Sequence, residues 1–117
     1  MNILFIINDA PYGSEKAYNA LRLAMTLQKE RTDTQIRVFL MADAVLCALP
    51  DQKTPDGYYN LERMFKGLVN KGAQVKACGT CADARGIRNL NLIKDVEVST
   101  ISQLAQWTAE ADKILTF

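Results

Sequence analysis

Two cysteines three residues apart, in Cys78-Gly-Thr-Cys81, offer the most direct chemistry in the sequence. They stand where a strand-like run, Ala73-Gln-Val-Lys-Ala77, meets the turn Ala82-Asp-Ala-Arg-Gly86. The chain has no histidine, which removes every mechanism that uses an imidazole as base, proton shuttle or metal ligand and leaves sulfur as the nucleophile. A Cys-x-x-Cys pair opening a helix is an arrangement in which a thiol pKa falls, because the N–H groups and partial positive charge of the helix start stabilise the thiolate. Arg85 follows Cys81 by four residues, one helical turn, so its guanidinium is expected to fold back near the sulfurs or to hold an anion there. The plainer alternative is that both cysteines are small apolar residues packing a strand end.

Two further readings of the pair are weaker. Structural zinc takes four ligands, and the sequence offers this pair, the distant Cys47 and no histidine, so no metal is expected. A thioredoxin-type dithiol normally opens a long helix after an early strand, whereas Gly86 interrupts this one within two turns. Elsewhere, Tyr12-Gly13-Ser14 could hold an anion on backbone N–H groups at a helix start, or serve only as a turn and a cap. It lacks the spaced glycines of a dinucleotide fingerprint and the Gly-Lys-Ser/Thr of a P-loop, so no cofactor is called for. Asp43 and Cys47 are polar groups at a strand mouth or simply residues of a helix start. Trp107 fits a core or subunit-contact position better than a stacking platform for a cofactor.

The elements that must position these groups can be traced by periodicity. Strand-like runs rich in Ile, Val, Leu and Phe occur at Asn2–Asn8, Gln35–Met41, Ala73–Cys78, Val96–Ser99 and Lys113–Phe117. Helical stripes fill most of the gaps. Ser14 is placed to cap the first, with Ala17, Leu21, Ala24, Met25 and Gln28 on one face. Asn60 precedes Leu61, Met64, Phe65, Leu68 and Val69, and Gly72 is expected to end that helix in the left-handed conformation. Thr100 and Gln103 have capping-box spacing ahead of Ile101, Leu104, Ala105 and Thr108. The polar stretch Leu49–Gly57, with two prolines, reads as a surface loop.

Strands alternating with helical connections imply a mostly parallel sheet covered on both faces, hence an α/β class, with strand order left open. In such sheets function lies outside the carboxyl ends of the strands. Asp9–Ser14, Ala42–Cys47 and Cys78–Gly86 occupy those places. With 117 residues and 49% hydrophobic content the chain is expected to be one domain, residues 1–117, with one core. The 14 basic and 13 acidic side chains are interspersed, and the formal charge of +1 gives no reason to expect a nucleic-acid or membrane surface. Ile3–Ile7 is too short for a signal segment and is followed at once by Asn8 and Asp9, so it reads as a buried strand. Three cysteines are too few for a disulfide scaffold, which favours a reducing, cytoplasmic setting.

With these segments in place, the chain resembles the DsrE/DsrF-like family of small sulfur-handling proteins, and its YchN-like branch in particular. The residues that carry the likeness are Ala10-Pro-Tyr-Gly-Ser-Glu15 after the first strand, Val38-Phe-Leu-Met-Ala-Asp-Ala-Val45, Val75-Lys-Ala-Cys-Gly-Thr-Cys-Ala-Asp-Ala-Arg-Gly-Ile87, Leu104-Ala-Gln-Trp107 and Ala111-Asp-Lys-Ile-Leu-Thr-Phe117. The resemblance implies a three-layer α/β/α domain with a five-stranded sheet, assembled as a homo-oligomer, a trimer or hexamer. It also implies a role for Cys78, which matches the cysteine that accepts sulfur as a persulfide in the family's relay members and passes it to a partner protein. Cys81 marks the YchN-like branch, since relay members often lack it. The expectation is a sulfur carrier acting through Cys78, with Cys81 able to resolve the persulfide and a sulfur donor or acceptor protein as partner. The competing expectations are a thiol-disulfide protein using both cysteines and a non-catalytic oligomeric binding module.

Overall fold

The computed structural model describes residues 1–117, and all five strands join one parallel sheet in the order β4-β3-β2-β1-β5. The strands are β1 (Asn2–Ile7), β2 (Gln35–Leu40), β3 (Gln74–Cys78), β4 (Val96–Ser99) and β5 (Lys113–Thr116). The helices are α1 (Lys16–Glu30), α2 (Leu61–Asn70), α3 (Gly79–Ala84) and α4 (Ile101–Glu110), with a 3₁₀ helix at Ala42–Ala48. Each expected strand is present, trimmed by at most one residue at either end. The order, open at the sequence level, winds outward from β1 to β4 and then places β5 on the other side of β1.

Side-chain alternation makes the two sheet faces different. Cross-strand partners in a parallel sheet share a face, so Phe5, Val38, Val75 and Val96 line one side, all apolar. There Ile3 and Leu115 meet Leu23 and Leu27 of α1 in a shared apolar groove. α2 lies beside α1, where Gln28 donates a 3.0 Å hydrogen bond to the Leu68 carbonyl. The other face carries Ile6, Phe39, Lys76 and Glu97 in register. α4 covers it through buried Trp107, whose ring meets Phe39 edge-on while Arg37 and Lys76 lie over it at 5.4 and 5.2 Å. Cys78, two residues beyond Lys76 on β3, projects on this second face and pairs with Ser99 of β4.

Three local expectations meet different outcomes. Asn60 caps α2 by accepting from the Arg63 N–H, and Gly72 at φ +96° turns the chain while the Ala73 N–H reaches the Leu68 carbonyl, a Schellman-type closure. Thr100 accepts from the Gln103 N–H, but the reciprocal half of the box is missing because the Gln103 amide oxygen accepts from Lys76 instead. Ser14 stands one residue before the N-cap position, Glu15: its hydroxyl donates to Asp9 at 2.6 Å and accepts the Lys16 N–H at 3.3 Å, so it satisfies the first N–H of α1 without being the N-cap residue. No helix is long and apolar enough to cross a membrane.

Candidate functional site

Three segments converge at the carboxyl ends of β1, β2 and β3. After β1, the chain turns through Tyr12 at φ +64°. The Tyr12 hydroxyl accepts the Leu61 N–H at the start of α2, at 3.0 Å, and its ring packs on Tyr59. Ser14 is taken up by Asp9, and Gly13 is exposed with the Ala10 side chain beneath it. The polar side chains of Tyr12 and Ser14 are therefore engaged within the fold. Cys47, on the 3₁₀ helix, completes this first mouth by pointing its thiol at the Asp9 carbonyl 3.9 Å away. Burial, with a further contribution from the Asp9 charge, outweighs a backbone N–H and pushes the Cys47 thiol up to about 12.

The second mouth forms where β3 becomes α3. Cys78 is the last strand residue and the N-cap position of α3, extended at φ −62°, ψ 122°. Its sulfur lies 3.2 Å from the Thr80 hydroxyl, its one hydrogen-bond contact, and the N–H groups of Cys81 and Thr80 and the Cys81 thiol lie near enough to act on its charge without capping it. Burial pushes this thiol up, but those donors together outweigh it, and Cys78 titrates below the ordinary thiol value. Cys81 behaves oppositely. Burial and its hydrogen bond to Cys78 raise it, against the Ala42 N–H and the Arg85 charge, which lower it. The Ala42 N–H donates to the Cys81 sulfur at 3.2 Å from a residue held at φ +50°, an uncommon conformation for alanine. Of the two neighbours, then, Cys78 gives up its proton the more readily and Cys81 the less. All three cysteines are free thiols.

The guanidinium groups are distributed differently from the sequence expectation. Arg85 does fold back one turn, donating to the Cys81 carbonyl at 3.1 Å, but its other nitrogens bind Asp43 at 2.9 and 2.7 Å. It thus ties α3 to the 3₁₀ helix and touches neither sulfur. Arg88, which sequence reasoning passed over, returns to the site instead, because Gly86 at φ +67° reverses the chain after α3. It forms a two-pronged pair with Asp83 at 2.5 and 2.9 Å, and its Nη2 packs over Gly79. The one sequence signal for this return is the glycine directly after Cys78. No group of three or more Cys, Asp or Glu side chains comes together in a way that could hold a metal ion.

The sequence profile of the DsrE/DsrF-like family matches residues 1–117. Protein YchN of Escherichia coli (strain K12) is 48% identical over 115 residues, covering 98% of this chain and 97% of that protein. A protein of Methanopyrus kandleri named Uncharacterized protein MK0008 is 37% identical over 115 residues, covering 98% of this chain and 93% of its own length. The crystal structure of the ychN protein from E. coli superposes with a TM-score of 0.94 at 47% identity, covering 99% of this chain and 98% of that one.

Proposed function

The chain belongs to the DsrE/DsrF-like family, and from that premise we propose that it is a sulfur carrier in which Cys78 accepts sulfane sulfur as a persulfide. The observation that carries this reading is the sulfur environment of Cys78: a thiol at a strand's carboxyl end, hydrogen-bonded to the Thr80 hydroxyl at the start of α3 and titrating below the ordinary thiol value. The reaction needs a thiolate at neutral pH, and the same donors suit the terminal sulfur of a perthiolate.

In the forward step the Cys78 thiolate attacks the outer sulfur of a donor persulfide. The donor's S–S bond breaks, the donor leaves as a thiolate, and Cys78–S–SH forms. Delivery is the same step run toward an acceptor thiolate. A competing path belongs to Cys81. Its thiolate can attack the inner sulfur of Cys78–S–SH, forming the Cys78–Cys81 disulfide and releasing hydrosulfide. Because Cys81 is held protonated, that path is slow at neutral pH and speeds up as pH rises.

The test is intact mass after incubation with cysteine and a cysteine desulfurase. One added sulfur atom is expected on the native protein and none on Cys78→Ser, with a longer-lived adduct on Cys81→Ser. No adduct on the native protein, or an equal adduct on Cys78→Ser, overturns the reading. The nearness of the two thiols, each acting on the other's titration, also favours a second reading, a reversible dithiol. That reading predicts a stable intramolecular disulfide under mild oxidation and no sulfur adduct.

Assembly into a trimer or hexamer, and residence in the cytoplasm, form part of the same proposal. Ile101 is 63% exposed and Leu90 and Ile114 are also open, while β4 and β5 present unpaired edges, so apolar surface and strand edges are available for other copies. Light scattering at micromolar concentration should give a trimer or larger; a monomer overturns this part. Three free thiols suit a reducing compartment.

A further inference from the structure

Gly79 is buried next to Cys78, and its backbone does not need glycine: it opens α3 without the positive φ seen at Gly57, Gly72 and Gly86. The requirement is one of space. A Cβ built there would sit 2.5 Å from Nη2 of Arg88 and 2.9 Å from the Ser99 carbonyl oxygen. The guanidinium of Arg88 therefore occupies the volume that any other residue at 79 would fill, directly over the peptide that follows the nucleophilic sulfur. Asp83 grips Nε and Nη2 of Arg88 in the fork geometry that fixes a guanidinium plane, holding it in that place.

We propose that Arg88, admitted by the missing side chain of Gly79 and oriented by Asp83, is the cation that stabilises the Cys78 thiolate and its perthiolate. Arg85, by contrast, is a structural clamp. The inference deepens the sulfur-carrier reading and rests on it for the perthiolate. The charged and titratable groups around Cys78 are Cys81 and Asp83 from α3, Arg88 from the loop after it, and the Asp43–Arg85 pair joining the 3₁₀ helix to α3 beside Cys81. From β4 the Ser99 carbonyl closes the other side of Gly79. In this set Arg85 is neutralised at close range by Asp43, whose oxygen takes two of its N–H groups. Arg88 is also paired, but its Nη2 fills the space of the missing Gly79 side chain, on the residue next to the one that bears the sulfur.

The test measures alkylation of Cys78 by iodoacetamide against pH, with the position read from peptide fragment ions so that Cys81 is resolved separately. For the native protein against Arg88→Gln, the rate at pH 6.5 should fall about threefold, a modest loss because Arg88 is solvent-screened. Arg88→Lys should restore most of the rate, which lost packing alone would not allow. Arg85→Gln should leave the Cys78 curve where it is. Gly79→Ala should reproduce the Arg88→Gln curve; if that variant fails to fold because of the Ser99 contact, the two Arg88 variants still decide. An unchanged Cys78 curve in Arg88→Gln, a Lys variant no better than Gln, or an equal fall in Arg85→Gln overturns the proposal. Alkylation needs no sulfur donor, so these outcomes are independent of whether a persulfide forms. A protein that takes no sulfur yet shows the Arg88 effect refutes the carrier reading alone.

Discussion

Cys47 and Cys78 are both closed to solvent, 1% and 2% exposed, but Cys47 lies deep in the core and Cys78 just beneath the surface, so burial decides the titration of one and not of the other. Cys47 looks onto an acceptor, the Asp9 carbonyl, with the Asp9 charge nearby, so nothing offsets desolvation sufficiently and its thiol is pushed up to about 12. Cys78 is hydrogen-bonded to the Thr80 hydroxyl and lies beside the N–H groups of Thr80 and Cys81, and these overcome a smaller desolvation. Cys78 ends β3 and Cys47 sits in the 3₁₀ helix that follows β2, and they differ in which polar groups the local chain leaves free. At β1 the turn spends its polar groups on itself: Ser14 on Asp9, Tyr12 on the start of α2. At β3 the chain enters α3 directly, and the first helical N–H groups, which have no intrahelical acceptor, lie beside the sulfur without capping it.

The largest expected effect is the reactivity gap between the two thiols. At pH 8 the thiolate fraction of Cys78 should exceed that of Cys47 by at least about 10³, from three or more pKa units, and lower nucleophilicity returns roughly half of that on a logarithmic scale. Methyl methanethiosulfonate, small enough to enter both sites, should therefore modify Cys78 about 30-fold faster or more. Comparable rates would break the contrast.

Next comes stability at alkaline pH. The folded Cys47 thiol keeps its proton to about 12, from an ordinary 9.0, so between those values the unfolded chain binds fewer protons and stability falls as pH rises. The contribution is whole below 9.0 and is lost on the way to 12. Replacing the residue by alanine removes that slope. From pH 8 to about 10.5, urea unfolding of the native protein should lose about 2 kcal/mol more than Cys47→Ala loses. Parallel slopes for the two proteins would mean that Cys47 is not held neutral.

Thr80 sharpens the other side. Thr80→Val removes the hydroxyl nearest Cys78 from an exposed position, and alkylation of Cys78 at pH 6.5 should drop about tenfold, with Thr80→Ser restoring it. The smallest effect belongs to the first mouth. Ser14→Ala should cost about 1 kcal/mol of unfolding free energy through the lost bond to Asp9 while leaving the Cys78 titration untouched. A shift of the Cys78 curve in Ser14→Ala would show the two mouths to be one site.

The elements were legible in the sequence because their signals are local. Apolar runs of four to seven residues became strands, and Asn60, Gly72 and Thr100 capped or ended helices where their side chains or φ allow it. The misses involve partners remote in sequence. Ser14 has the right type for a cap and its hydroxyl accepts the Lys16 N–H, but the helix starts one residue later than the spacing suggests, behind Glu15, and the same hydroxyl is also tied to Asp9. Gln103 has capping-box spacing, but Lys76 on β3 claims its amide oxygen. The i, i+4 argument placed Arg85 correctly against Cys81 and could not foresee Asp43, 42 residues away, taking the charge. Arg88 was invisible to helical periodicity, since Gly86 ends it before Arg88 is reached. Ala42 shows the same limit, because an N–H donated to Cys81 depends on an alanine held in the left-handed region.

The most direct test of the account is a single titration of all three thiols in the native protein, with iodoacetamide rates resolved at Cys47, Cys78 and Cys81 by peptide fragment ions from pH 5 to 11. The predicted order of ionisation is Cys78 first, below the ordinary thiol value, then Cys81, with Cys47 still protonated at the top of the range. Cys78 ionising at or above the ordinary value, or after Cys81, would contradict it.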